Sequence, residues 1–292
     1  MNFPFFVLGF PRSGTSALRL HLTCHRDLEI PPESSFLTWL LPKYADWSVL
    51  DAHDQRIDEF VCDVFNSRKF STWRLSRDRL RQQIVSSTPA NYAQLAACVY
   101  SAYANQRCKP QARWGDKNNV HLNKVQEISD LYPNAQFILV TRDVRDILVS
   151  VRDLSKLDSG LRFRPQLPSD ALRLATLWRQ QNTLALRELR RLPHGSFTTV
   201  SFEELVASPR QVLESLVRFL HCEWDEEIMS APLLNRTHNL EPQETMYWKS
   251  LTLQPLTASR VGRWRKALSD GDLRMVVEEG EPLFTQLGYR FE

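Results

Sequence analysis

The 292 residues carry a net charge of +3, with 42% hydrophobic and 24% charged residues, ordinary values for one large globular α/β domain with a substantial core. So small a positive surplus does not point to nucleic acid, and no apolar run is long enough to cross a bilayer as a helix. The five cysteines (Cys24, Cys62, Cys98, Cys108, Cys222) form no C-x-x-C pair and read as reduced thiols; with no secretory leader, the expectation is a soluble, cytoplasmic protein.

Phe5–Leu8 is an unbroken apolar run of the kind a buried parallel strand needs. Gly9 breaks it, and Ala17, Leu18 and Leu22 then recur at helical spacing. Between them lies Gly9-Phe10-Pro11-Arg12-Ser13-Gly14-Thr15-Ser16. This is the phosphate-cradling pattern G-x-x-x-x-G-K-[ST] with Thr15 in the lysine's place. Loop and helix N–H groups can wrap an anion, and Arg12 supplies the missing positive charge in a form suited to phosphate or sulfate oxygens. Loss of the lysine argues against ordinary ATP or GTP hydrolysis.

Pro11–Ser16 resembles the 5′-phosphosulfate loop of sulfotransferases that use 3′-phosphoadenosine 5′-phosphosulfate (PAPS). The arginine version resembles the tyrosylprotein and bacterial branch. The resemblance implies that Arg12, Ser13, Gly14, Thr15 and Ser16 hold the donor.

Further along, Pro31-Pro32-Glu33 places Glu33 at a turn before the amphipathic stretch Phe36–Leu41. A carboxylate there can cap a helix, or it can take the proton from an attacking hydroxyl. Counted from the loop, Glu33 falls where the tyrosylprotein branch has its catalytic Glu. His21 and His25 stand one turn apart without further ligands nearby, so no metal site is expected. Residues 40–110 contain no glycine and alternate charged and apolar groups in helical rhythm. They read as a helical insertion over one side of the site that shapes acceptor choice. Its aromatics include Trp39, Tyr44, Trp47, Phe70, Trp73 and Tyr100.

Trp114-Gly115-Asp116-Lys117 reads as a short strand ending in a lysine. It resembles the family's Gly-Asp-Lys segment, which implies that Lys117 contacts the transferring sulfuryl group. Asn118-Asn119 departs from the Thr-Pro or Ser-Pro that often follows. His121 is the reserve base, since the cytosolic branch uses a histidine. Val125–Leu131 is helical, and Phe137–Thr141 is a second buried strand. It runs into Arg142, with Ser150 eight residues later in a helix. The family holds the donor's 3′-phosphate with that pair.

Ser155–Pro168 reads as a loop covering the site, and Ala171–Leu192 as a long helix with Leu172, Ala175, Trp178 and Asn182 on one side. Phe197–Phe202 is a strand, followed by a segment similar to the family's Tyr-Glu-x-Leu turn near the adenine; Phe202 stands at the Tyr. Arg210–Leu220 is a helix, and Trp224–Thr257, with three prolines, reads as a long loop lining the acceptor pocket. Gly262-Arg263-Trp264 resembles the C-terminal segment that closes over the nucleotide. Leu273–Leu287 reads as a closing helix.

The expectation is a single domain over residues 1–292 with a three-layer α/β/α P-loop-type fold: a mainly parallel sheet of four or five strands, helices on both faces. The resemblance implies transfer of a sulfuryl group from PAPS to an acceptor hydroxyl, leaving adenosine 3′,5′-bisphosphate (PAP) and needing no metal. Arg12 and Lys117 would neutralise the transferring charge and Glu33 would be the base. The acceptor class, whether peptide tyrosine, carbohydrate, lipid or natural product, is not readable, nor is the oligomeric state. A P-loop kinase and a non-catalytic nucleotide-binding protein are the alternatives.

Overall fold

A computed structural model of the chain describes residues 3–48 and 54–290. Its centre is β1 (Phe5–Gly9), every residue of which is buried. Around it stand β2 (Leu28–Glu29), β3 (Arg113–Lys117), β4 (Gln136–Thr141) and β5 (Phe197–Ser201), in the order β2-β3-β1-β4-β5. All four pairings are parallel. Alternation along the strands sends Phe6, Leu8, Phe137 and Leu139 into one core and Phe5, Val7, Ile138 and Val140 into another on the opposite face. Runs buried on both sides, such as FFVLG and QFILVT, are what a parallel sheet covered by helices requires.

The register sets the site. Val7 lies opposite both Lys117 and Ile138, and Gly9 opposite Val140. The carboxyl ends of β1, β3 and β4 therefore share one edge of the sheet, where ligands of open α/β folds gather. From this edge leave α1 (Thr15–Cys24) and α7 (Val144–Ser155).

The insertion consists of α2 (Phe36–Tyr44), α3 (Asp54–Asn66), α4 (Arg77–Ser87) and α5 (Tyr92–Gln106), with a 3-10 turn at Phe70–Trp73. Its aromatics are mostly core: Trp114 of β3 stacks on Tyr100 at 4.0 Å, and Phe36 packs edge-on to Phe70 and Trp73. Trp39 is the exception, at 74% exposed.

Three expected elements differ. Residues 224–257 are not one loop; they form α11 (Ala231–His238), α12 (Met246–Lys249) and several 3-10 turns. Four-residue elements carry too little periodicity to be seen, and Pro232 sits in the first turn of its helix, where a missing N–H is tolerated. The closing helix divides into α14 (Asp270–Gly280) and α15 (Leu283–Gln286), because Pro282 cannot continue the first. On α8 (Ala171–Leu189), Leu174 takes the buried position assigned to Leu172, which is exposed. No helix among the described residues is long and apolar enough to cross a membrane.

Candidate active site

The loop between β1 and α1 is tightly constrained. Gly14 precedes the helix at φ 93°, and Arg12, though not a glycine, has φ 75°. Non-glycine residues in this region are strained and concentrate at functional sites. A Cβ at Gly9 would stand 2.6 Å from Thr15 Cγ2 and 2.8 Å from the Val140 carbonyl. A Cβ at Gly14 would stand 2.4 Å from the Phe202 ring, so that ring packs directly against the loop. The loop backbone thus approaches its neighbours as only glycine allows, and Gly14, Thr15 and Ser16 at the N-terminus of α1 line a cavity of about 580 Å³.

At one end of that cavity the arginines converge. Arg12 Nε donates to Ser150 Oγ at 3.0 Å and its Nη1 to the Trp248 carbonyl at 3.2 Å. Arg142 follows β4 and donates to the carbonyls of Arg12 and Arg260, both at 2.8 Å. Its guanidinium lies 4.3 Å from the Phe202 ring centroid. Burial, with Arg142 and Arg260 close by, brings the Arg12 guanidinium down to about 10. Two buried polar atoms here lack a protein partner, Ser13 Oγ and Arg142 Nε. Buried donors left unmade are costly, so a cluster of cations with orphaned donors is arranged for an anion.

At the other end is Glu33. The fold brings Lys117, 84 residues away, into a short ion pair with Glu33 Oε1, and Lys117 Nζ also donates to Ser16 Oγ at 3.1 Å. Lys69 Nζ reaches Glu33 Oε2 at 2.5 Å, and Lys249 Nζ lies 3.8 Å from Oε1. Burial alone would raise the Glu33 carboxyl, but Lys117, Lys249 and Lys69 together outweigh it and hold it well below the usual range. Burial brings the Lys117 ammonium down to about 8 against the pull of Glu33. At neutral pH the proton therefore sits on the lysine, and Glu33 is a carboxylate. Lys249 is anchored by buried Glu241 at 2.6 Å, which Arg19 also holds at 2.9 Å.

The structure brings Arg12, Gly14, Thr15, Ser16, Glu33, Arg142, Ser150, Phe202 and Arg263 to the cavity wall. Lys117 lies fully buried behind Glu33, and Ser13 beneath the loop. Gly262 and Trp264 do not line it. Their N–H groups bind the Asp146 carboxylate at 2.7 and 3.0 Å, and Trp264 lies under the Arg145 guanidinium, so they lock the C-terminal segment onto α7. His121, the reserve base, is fully buried; it binds Asp116 at 2.9 Å, packs edge-on to Phe6 and stays out of the cavity. His21 and His25 are satisfied by the carbonyls of Ile228 and Glu223. Among the described residues no cluster of metal-ligating side chains occurs. Sequence reasoning missed Lys69, Lys249 and Arg260. Lys69 and Lys249 fell inside the two stretches expected to shape the acceptor pocket, and Arg260 just before Gly262-Arg263-Trp264, but none of the three carries a local motif.

The model of the sulfotransferase family matches residues 4–226, and the chain belongs to that family as a sulfuryl-transferring enzyme. It is 19% identical over 285 residues to the protein-tyrosine sulfotransferase of Drosophila melanogaster, covering 97% of this chain and about half (51%) of that protein's length. Its fold is similar to the sulfotransferase domain of the Synechococcus PCC 7002 olefin synthase, with a TM-score of 0.63, 21% identity, and coverage of 98% of this chain and 95% of that one. It is also similar to a mouse sulfotransferase solved with PAP, with a TM-score of 0.51, 11% identity, and coverage of 99% and 86%.

Proposed function

We propose that the protein transfers a sulfuryl group from PAPS to the hydroxyl of an acceptor, with Glu33 as general base. The observation that carries this is the Glu33–Lys117 ion pair, set beside Ser16 of the loop helix at the wall of the cavity. The donor fits the residues present. The loop and α1 would hold its 5′-phosphosulfate; Arg142, Ser150 and the orphaned Arg142 Nε would hold its 3′-phosphate. Phe202, buried between Gly14 and Arg142, would flank the nucleotide. A PAP-bound structural neighbour supports this choice of donor.

The guanidinium of Arg12 is bonded to Ser150 and the Trp248 carbonyl, and Glu33 lies near enough to act on its charge. In this arrangement two of its five N–H groups hold it at the nucleotide end. Lys117 bridges Glu33 and Ser16 at the head of α1. As the acceptor oxygen bonds to sulfur and the bridging S–O bond breaks, Lys117 is placed to offset the electron pair left on the 5′-phosphate. Glu33 takes the acceptor proton. A weakly basic carboxylate suffices, because an oxygen bonding to sulfur becomes strongly acidic. The protein-tyrosine relative makes a phenolic hydroxyl one candidate acceptor.

Incubation with sulfur-labelled donor and a panel of phenols, tyrosine peptides, sugars and alcohols tests the reading. Glu33→Gln should lower kcat by roughly 10²–10⁴ without weakening PAP binding. Full activity in Glu33→Gln would remove Glu33 as base.

A further inference from the structure

Both oxygens of Glu33 are occupied, by lysines with different surroundings. Lys117 is fully buried and tied to Ser16 at the head of α1, on the donor side. Lys69 is 15% exposed, lines the cavity, and sits on Oε2. Lys249 has a carboxylate of its own in Glu241. Among the described residues, the ion pair of Lys69 is with Glu33 alone.

The position of Lys69 is built. Its backbone has φ 66°, a region a lysine adopts only when its surroundings impose it. The Lys69 carbonyl accepts from Thr72 N at 2.9 Å and Thr72 Oγ1 at 2.7 Å, which fixes the turn. Trp73 Nε1, in that turn, donates to the carbonyl of Pro32, the residue before Glu33, at 2.8 Å. The turn therefore grips both the backbone and the side chain of the segment carrying the base.

Charge conservation gives this arrangement a role, resting on the reading of Glu33 as the base. Before transfer, Glu33 carries one negative charge, shared by Lys117 and Lys69. During transfer the acceptor O–S bond forms and the acceptor proton passes to Glu33. The bridging O–S bond breaks, and its electron pair remains on the 5′-phosphate of PAP. Glu33 becomes neutral. Lys117 gains the new phosphate charge as counterion, and Lys69 is left facing the cavity with none. The charge newly present on the acceptor side is that of the sulfate ester. We infer that Lys69 is a second sulfuryl-holding cation, which exchanges the Glu33 carboxylate for the sulfate oxygens as the group crosses to the acceptor.

Inorganic sulfate tests this without knowledge of the acceptor. It is titrated calorimetrically into protein saturated with PAP, so that the nucleotide's anion sites are filled. Glu33→Gln mimics the protonated base and should bind sulfate at least about tenfold tighter than the wild type, whose carboxylate holds Lys69 and repels the anion. Adding Lys69→Met to Glu33→Gln should reverse that gain by at least about tenfold, and Lys69→Arg in the same background should restore much of it. Matching circular dichroism spectra and cooperative thermal unfolding across the set report an intact fold. Sulfate affinities of Glu33→Gln and Glu33→Gln/Lys69→Met within about twofold of each other would overturn the inference, as would wild-type protein binding sulfate as tightly as Glu33→Gln. The two readings fail separately. Wild-type turnover by Glu33→Gln removes the base assignment; an inactive Glu33→Gln whose sulfate affinity ignores Lys69 removes the role of Lys69 alone.

Discussion

The 3′-phosphate separates PAPS from other adenosine nucleotides, so Arg142 offers the sharpest test of the donor assignment. Its Nη atoms are committed to the carbonyls of Arg12 and Arg260, while Nε is buried without a partner. Arg142→Ala removes the orphaned donor and the charge. A hydrogen bond to a charged group contributes about 1.5–3 kcal/mol, so PAP should bind roughly 10- to 150-fold more weakly on that account. The substitution also unclamps the loop carbonyl of Arg12 from residue 260, which will cost adenosine 5′-phosphate some affinity too. The decisive quantity is therefore the difference between the two losses, measured by calorimetry on the same preparations. PAP should lose roughly tenfold or more beyond what adenosine 5′-phosphate loses. Ser150→Ala, which removes a neutral hydroxyl already shared with Arg12, should show the same selectivity with a smaller loss. Equal losses for the two nucleotides would refute Arg142 as the 3′-phosphate ligand and with it the choice of donor.

Two further outcomes follow from the same geometry. Lys117 in the free enzyme titrates at about 8, and its protonated form is the one that offsets donor charge, so kcat/KM for PAPS should be level below that pH and fall as pH rises through it. An alkaline limb that survives Lys117→Met would belong to another group. Gly14→Ala places a Cβ 2.4 Å from the Phe202 ring at φ 93°; it should destabilise the fold by about 1–3 kcal/mol and weaken PAP binding, read by thermal unfolding and calorimetry. Unchanged melting and PAP affinity together would show that the loop does not need glycine there.

How much was legible in the sequence depended on whether a residue's place follows from its neighbours. β1 and β4 were visible because strands buried on both faces leave continuous apolar runs. β2, with two residues, leaves no run at all. The nucleotide loop was legible because its glycine spacing lies within one strand–loop–helix unit, although Val140 and Phe202, far along the chain, also require those glycines. Glu33 and Lys117 were found through their likeness to family segments, and the parallel register explains why they meet: β3 ends beside β1, next to the head of α1. Lys69 left no trace, since its function depends on a left-handed backbone that Arg-Lys-Phe does not announce. Lys249 lies on a four-residue helix below the reach of any periodicity. Gly262 and Trp264 were assigned to the nucleotide because a glycine beside a tryptophan and arginines suits either a ligand or a helix junction. The Asp146 carboxylate, 118 residues before Trp264, takes them for the junction.

The two ends of the cavity hold their cations in different ways, and the difference matches what each must do. The recorded hydrogen bonds of Arg12 and Arg142 run to neutral oxygens: a hydroxyl and three carbonyls. Such partners orient a guanidinium without cancelling its charge. Asp153 supplies a carboxylate at the rim, but it is taken by Arg263 at 2.8 Å and lies 3.9 Å from Arg260. Asp146, Glu203 and Asp143 act on Arg142 from a distance, but no carboxylate is bonded to Arg12 or Arg142 among the described hydrogen bonds, so the arginine end keeps donors for phosphates whose charge stays fixed through the reaction. The lysine end is different. Lys117, Lys69 and Lys249 are each paired with a carboxylate, and one of these, Glu33, is the group whose charge the reaction would cancel. With three lysines set against Glu33 and Glu241, protonation of Glu33 would add one unit of positive charge to this end as negative charge arrives on the leaving phosphate and the sulfate ester. An uncompensated lysine cluster would instead hold the product's anions before and after transfer alike, and would slow their release. With Glu33 as the base, tying the positive charge at this end to the protonation state of one carboxylate would make it strongest as the proton arrives and weaker once Glu33 returns that proton to water.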